Sequence, residues 1–482
     1  MSLPTDPTEI GALALSEAIA RRAISCEEAM RASLAAIARH AGFNAVVGLR
    51  PEEALLAEAR AADAELAAGR RRGWLHGIPF AVKDLAAAEG LPFTEGSPLF
   101  ADRVAGEDAP FVARIRAAGA IVIGKTNTPE WGLGSHTYNP VWGATRNAYD
   151  PSRSAGGSSG GAAVALALRL LPVADGSDHA GSLRNPAAWN GVLGLRPTLG
   201  RVVDGLDDVF SAGLAVAGPM ARRVDDLAAL LATMAGPDPR APLSRPDDPE
   251  ALARVPDGLP PGARIGWLGD LGGHLAVEPG VLETCEAALR AFEGLGVAVE
   301  PVALPFDPAR VWRAWLTLRH AAVGSKLKPL WDDPAKRERL KPEACWEVEG
   351  SLRLTPADLA AANAVRSAWH RATLALFARF DALALPAAQM FPFPVETTWP
   401  REVAGRAMDS YHRWMEVVIG PTMAGGPVLA LPAGLGPTGL PMGLQLWGPW
   451  GAEARLLGLG RAFEAATGFP DRRPPALGSA AG

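Results

Sequence analysis

Two serines set among glycines are the residues of this chain best suited to chemistry. Ser158 lies in Gly156-Gly157-Ser158-Ser159-Gly160-Gly161, and Ser182 in Gly176-Ser177-Asp178-His179-Ala180-Gly181-Ser182-Leu183-Arg184. Glycines permit backbone conformations closed to other residues, and they let a substrate approach the main chain. A helix is predicted to follow the first loop, and a helix N-terminus offers unpaired N–H groups to negative charge. A serine hydroxyl is a weak nucleophile until a base takes its proton. Lys83 is the candidate base, because it ends the apolar run Ile78-Pro79-Phe80-Ala81-Val82. To accept a proton near neutral pH it must lose about 3 pKa units, roughly 4 kcal/mol of differential stabilisation. Burial at a strand end can supply that, and uncharged serine neighbours do not oppose it. Taken alone, Lys83 beside Asp84 reads as an ion pair at a surface strand end. The two serine loops turn the reading towards catalysis.

These residues need elements to position them. Amphipathic patterns predict helices over residues 8–22, 26–39 and 51–70, then 109–118 and 161–170. Further helices are predicted over 281–292, 358–380 and 452–466. Apolar runs predict strands at 78–82, 120–123, 264–268, 297–302, 382–385, 428–431 and 442–447. One helix and one strand fit between Ser158 and Ser182, so the two loops can meet at one end of a sheet. Alternating strands and helices predict an α/β chain with a largely parallel sheet covered on both faces. Residues 237–261, rich in Pro and Asp, read as a surface connection, and 471–482 as a mobile tail.

Two sequence patterns suggest other chemistries and fail on context. Gly119-Ala120-Ile121-Val122-Ile123-Gly124-Lys125-Thr126 fits GxxxxGK[ST], but its middle residues favour an extended buried strand over a phosphate-cradling turn. Gly156-Gly157-Ser158-Ser159-Gly160 fits GxSxG, but 147–155 is polar and turn-like where a nucleophile elbow needs a buried strand.

The chain resembles the amidase signature family. Gly156 to Gly161, Gly176 to Arg184 and the run from Pro186 to Pro197 match the family's central motif. Gly77 to Asp84, Gly124 to Glu130 and Gly439 to Gln445 match blocks on either side. The resemblance covers most of the chain. It implies a single α/β/α domain over about 1–470 with a large central mixed sheet, a signature core at about 75–200 and a variable substrate region at about 202–411. It also implies a Ser–cis-Ser–Lys triad on Ser182, Ser158 and Lys83, with a cis Gly157–Ser158 peptide. Ser182 would form an acyl-enzyme, with Ser158 passing its proton to Lys83. Backbone N–H groups of His179, Ala180, Gly181 and Ser182 would form the oxyanion hole, and Ser159, Asp178 and Arg184 would support the loops.

The family usually has Gly where this chain has Ala180, so the hole must use angles that a Cβ permits. His179 reads equally as a specificity residue or a solvent-facing turn residue. Trp131, Gly132 and Tyr411 are candidates for the substrate pocket. Trp189 and Trp414 could join them, although aromatics in an apolar chain more often form core. Phe391-Pro392-Phe393-Pro394 reads as a rigid loop near the site.

The implied reaction is hydrolysis of a linear carboxylic amide, with no cofactor and no metal. The main rival is the glutamine-hydrolysing subunit of a tRNA-dependent amidotransferase. A free-standing amidase is favoured because 201–206 lacks the Ser-Arg-Tyr-Gly pattern associated with that rival. A non-catalytic binding protein on the same scaffold is a third reading, disfavoured by three intact triad positions.

Composition fits a soluble enzyme. The 47 basic and 52 acidic residues leave a net charge of −5 and no basic face for nucleic acid. Cys26, Cys285 and Cys345 form no CxxC pair, which argues against zinc and for a reducing compartment. The N-terminus shows no signal-peptide pattern, and the apolar run 162–168 is too short to span a bilayer. A cytoplasmic monomer or homodimer acting on a small amide is expected.

Overall fold

The computed structural model describes residues 6–210, 213–246 and 248–478. Eight strands form one mixed sheet in the order Ala298–Pro301, Arg264–Trp267, Ala382–Pro386, Pro441–Trp447, Val428–Leu435, Leu193–Arg196, Val216–Ala221 and Val173–Asp178. The first three run parallel, and every later neighbour is antiparallel. This corrects the expectation of a largely parallel sheet. In this sheet, Arg264–Trp267, the helix Val281–Gly294 and Ala298–Pro301 form a right-sized parallel crossover. The strands on either side of residues 436–440 instead close as a hairpin, and Val216–Ala221 lies antiparallel between Val173–Asp178 and Leu193–Arg196, which run the same way.

Lys83 does not belong to that sheet. Its strand, Pro79–Lys83, runs parallel to Ile121–Thr126 in a separate three-stranded sheet completed by Val46–Val47. Both longer strands are buried at every residue, which is why they read as unbroken apolar runs. Gly119 to Thr126 accordingly enters a buried strand and not a phosphate loop. The helix Gly160–Ala167 packs between the two sheets. A Cβ on Gly161 would sit within 2.6 Å of the Ala45 carbonyl oxygen, so the close approach requires glycine.

The predicted helices stand with shifted ends. The stretch 8–22 divides into a 3₁₀ turn, Pro7–Glu9, and the helix Ala12–Ala20. Cys26–Arg39 keeps its predicted bounds because Ser25 and Glu28 form a capping box. The sequence reading misses the helices Pro308–Trp331 and Pro342–Leu352. The first mixes charged residues with tryptophans and carries Gly324 and Pro329, which blur its apolar stripe. Gly324 packs onto Ser351, where a Cβ would come within 2.3 Å. The stretch 237–261 is mostly irregular, with one short helix, Pro249–Ala253. Residues 471–478 include the 3₁₀ turn Pro475–Leu477, and Arg473 pairs with Glu9 at 2.7 Å. Residues 479–482 lie outside the described residues. Among the described residues, no helix is long and apolar enough to cross a membrane.

Candidate active site

Lys83 is 1% exposed, so its ammonium is stripped of water. Its Nζ lies 2.8 Å from Ser158 Oγ, 2.8 Å from Ser159 Oγ and 3.0 Å from Ser177 Oγ. Burial pushes its pKa from 10.5 down to about 7, against the opposing pull of Asp175 and Asp178. The Lys83 backbone N–H donates to Asp175, whose carboxyl burial pushes up to about 6. Asp84 does not pair with Lys83. Its carboxylate takes hydrogen bonds from Thr94 and the Trp142 indole, so the surface ion-pair reading fails.

The hydroxyl network assigns directions at Lys83. A protonated lysine has three donors, and a neutral one has two donors and a lone pair. Ser159 Oγ lies 3.4 Å from the Ser177 carbonyl oxygen, to which it can give its proton, so towards Lys83 it accepts. Ser158 is then free to donate to the lone pair of a neutral Lys83. The peptide Gly157–Ser158 is cis. Ser182 reaches the same point through its backbone: its carbonyl accepts from the Ser159 N–H at 3.2 Å. Among the described residues, no hydrogen bond joins the hydroxyls of Ser158 and Ser182. Such contacts are often long before substrate binds.

Asp178 organises the second loop. It accepts from the Gly181 N–H at 2.8 Å and the Leu183 N–H at 3.1 Å, and it takes a two-pronged bond from Arg184 at 3.0 Å. Arg196 adds a contact at 3.2 Å. Burial alone would raise the Asp178 pKa, but Arg184 and Arg196 outweigh it and hold the carboxylate below its ordinary range. All three side chains are fully buried. Asp178→Ala would strand two guanidinium groups without their anion, so we expect a loss of about 3–5 kcal/mol, read by urea unfolding.

The Gly181 amide donates to Asp178, which fixes the turn that carries Ser182. The amides of His179, Ala180 and Ser182 lie in the same turn. Gly181 itself has φ +91°, and a Cβ there would strike Asn185 at 2.3 Å. Ala180 does not take a positive φ, so its methyl group fits the turn without strain. His179 is half-buried, and its Nε2 has no hydrogen-bond partner among the described residues. Burial, aided by the Arg319 charge, holds the ring neutral.

Of the pocket candidates, Gly132 lies beside Ser158. With φ +69°, it would place a Cβ only 3.6 Å from Ser158 Oγ. Trp131 is 9% exposed and packs with Leu133 and Tyr411. The Tyr411 hydroxyl donates to Glu347 at 2.5 Å and accepts from Arg319 at 2.9 Å. Trp189 and Trp414 are fully buried and stacked at 5.7 Å, which makes them core. Phe393 packs against both, and its carbonyl accepts from the Ser154 N–H at 2.8 Å, so the Phe-Pro loop braces the serine loop.

Sequence reasoning missed Asp175, Ser177 and Arg196. Asp175 and Ser177 alternate along Val173–Asp178 and so face the same side of their strand. That period-2 signal was available. Arg196, 18 residues beyond Asp178, lies in the motif run Pro186 to Pro197, but its pairing with Asp178 was not read from it.

The Amidase family model matches residues 28–457. The chain belongs to the amidase signature family. Its members hydrolyse the C–N bonds of amides, and this chain is an amide hydrolase of that family. It is 37% identical to a glutamyl-tRNA(Gln) amidotransferase subunit from Thermus thermophilus, over 91% of this chain and 93% of that one. It is 33% identical to an acylamidase of Rhodococcus erythropolis, over 96% of this chain and 97% of that one. The crystal structure of a bacterial aryl acylamidase of the amidase signature family superposes with a TM-score of 0.88 at 27% identity, covering 98% of this chain and 99% of that one.

Proposed function

We propose that this amidase signature enzyme is a free-standing amidase that cleaves linear carboxylic amides through an acyl-enzyme on Ser182. The observation that carries the reading is the desolvated Lys83 amine 2.8 Å from Ser158, beside the glycine loop that holds Ser182. The Ser182 hydroxyl adds to the amide carbonyl carbon. Its proton passes to Ser158 as the Ser158 proton passes to Lys83. The carbonyl becomes an oxyanion, held by N–H groups of the His179–Ser182 turn. When the C–N bond breaks, the electron pair leaves on nitrogen, and Lys83 returns a proton to it through Ser158. Water then adds to the ester carbonyl and gives its proton through Ser158 to Lys83; the bond from that carbon to Ser182 Oγ breaks, Lys83 returns the proton through Ser158 to Ser182, and the acid departs as the carboxylate. Asp178, Arg184 and Ser159 hold the two loops in register, and Gly132 leaves room beside Ser158. The chemistry uses groups of the chain alone, in a cytoplasmic monomer or homodimer.

The amidotransferase relatives support a second reading, in which glutamine is the amide and ammonia passes to a partner protein. The experiment is a panel of aliphatic, aryl and amino-acid amides, with glutamine, assayed for ammonia or amine release by the purified chain. Turnover of the simple amides without partners supports the first reading. Release from glutamine alone, rising when partner proteins are added, replaces it with the second.

A further inference from the structure

We propose that Asp175 is a positioning residue for the reaction: it clamps the Lys83 backbone and sets the pH at which the Lys83 amine becomes a free base. This rests on the amide-hydrolysis reading above. Asp175 lies on Val173–Asp178, the edge strand of the eight-stranded sheet, and Lys83 ends a strand of the other sheet. The Asp175 carboxylate joins the two. Its Oδ1 and Oδ2 accept the Lys83 N–H at 3.1 and 3.3 Å. Ser177, two positions on and on the same strand face, meets the Lys83 amine at 3.0 Å. One strand face therefore holds Lys83 at its backbone and at its side-chain end.

Asp175 is 1% exposed, and among the described residues no side chain donates to it. Burial pushes its pKa up to about 6 while Lys125 and Lys83 pull it back, so at neutral pH it is an anion. The other charges nearby are engaged. Lys125, on the strand next to that of Lys83, donates from Nζ to the Ala86 carbonyl at 2.5 Å. Asp84, which acts on Lys125, is held by Thr94 and Trp142. Asp178 is matched by Arg184 and Arg196. Asp226, on the helix Val224–Met234, takes the Ala12 and Leu13 N–H groups. The helix Gly160–Ala167 and the strand Val216–Ala221 carry no charged residue. The helix Cys26–Arg39 buries only uncharged ones, its Cys26 thiol being pushed up to about 12. Asp175 is thus the anion left for the two buried amines. The hydroxyls that touch the Lys83 amine bear no charge. In a dry interior a carboxylate favours an ammonium through space as well as by contact, so Asp175 offsets part of the burial and keeps Lys83 a stronger base.

The test is the pH profile of kcat/KM for the full chain in wild type, Asp175→Asn and Asp175→Ala. Asparagine keeps an oxygen for the Lys83 N–H and removes the charge. Alanine removes the charge without setting an amide N–H against Lys125. In each variant the half-point of the rising limb is expected to move down from about 7 by about 1 pH unit. At pH 6 a variant should then keep about one half of its own plateau rate, where the wild type keeps about one tenth. The plateau itself should fall about threefold, because the base is weaker. A role confined to holding the fold would lower the plateau and leave the half-point in place. Urea unfolding between pH 6 and 9 reads the same change without substrate: the rise of stability with pH, which begins near 7 in the wild type, should begin about 1 unit lower. Turnover with an unmoved half-point in either folded variant overturns the role of Asp175 and leaves the hydrolysis reading intact. A shifted unfolding profile with no turnover of any amide, by wild type or variant, sinks the hydrolysis reading and leaves the coupling of Asp175 to Lys83 standing.

Discussion

Ser182→Ala is expected to lower kcat by on the order of 10⁵–10⁶-fold, the scale on which hydrolases lose rate with their nucleophile. The same variant should lose covalent labelling by a fluorophosphonate, which adds to an activated serine and leaves an intact mass increment on it. The fold should survive. Ser182 contributes to the scaffold through its carbonyl, which takes the Ser159 N–H at 3.2 Å, and alanine keeps that carbonyl. The hydroxyl has no partner to lose among the described residues. Stopped-flow turnover together with intact-protein mass spectrometry decides the matter. A variant that keeps more than about one hundredth of the wild-type rate, or that still labels, sends the nucleophile's role elsewhere.

The second large effect lies at Lys83. Lys83→Met should lower kcat/KM by about 10³-fold, within the range a positioned general base supplies. The wild type should also show a definite pH profile. The base works only when neutral, and its pKa lies at about 7. Below that value the neutral fraction falls tenfold per pH unit, so kcat/KM should rise with unit slope as pH increases and level off above it. At low pH the ammonium donates to Ser158, Ser159 and Ser177 together and has no lone pair to offer. Stability carries an independent signature. Between about 7 and 10.5 the unfolded chain holds a proton here that the folded chain has released. The unfolded state therefore binds more protons, and stability rises with pH across that window. Lys83→Met removes both the slope and the cost of burying an amine, so the inactive variant should be no less stable at neutral pH. Urea unfolding at several pH values, run beside the rate profile, separates a lost base from a lost fold. A flat rate profile from pH 5 to 9 in the wild type would remove Lys83 from the role.

What could be read without coordinates was local. Glycine beside serine, an apolar run ending in lysine and the capping box at Ser25 are patterns whose causes lie within a few residues, and the elements they predict stand in the fold. The family resemblance rests on the same short motifs. Tertiary structure decided what depends on contacts between distant residues. The antiparallel majority of the sheet follows from which strands become neighbours, such as Leu193–Arg196 beside Val428–Leu435, and no local pattern encodes that pairing. Placing Lys83 on a second sheet, with Asp175 at its backbone and Ser177 at its amine, brings together residues more than 90 positions apart. Arg196 reaches Asp178 across 18 residues, and the Gly181 amide donates to that carboxylate. The reason is physical. Propensity and capping act along the chain, whereas desolvation, charge pairing and the shape of a cavity arise only where separate stretches exclude water from one another.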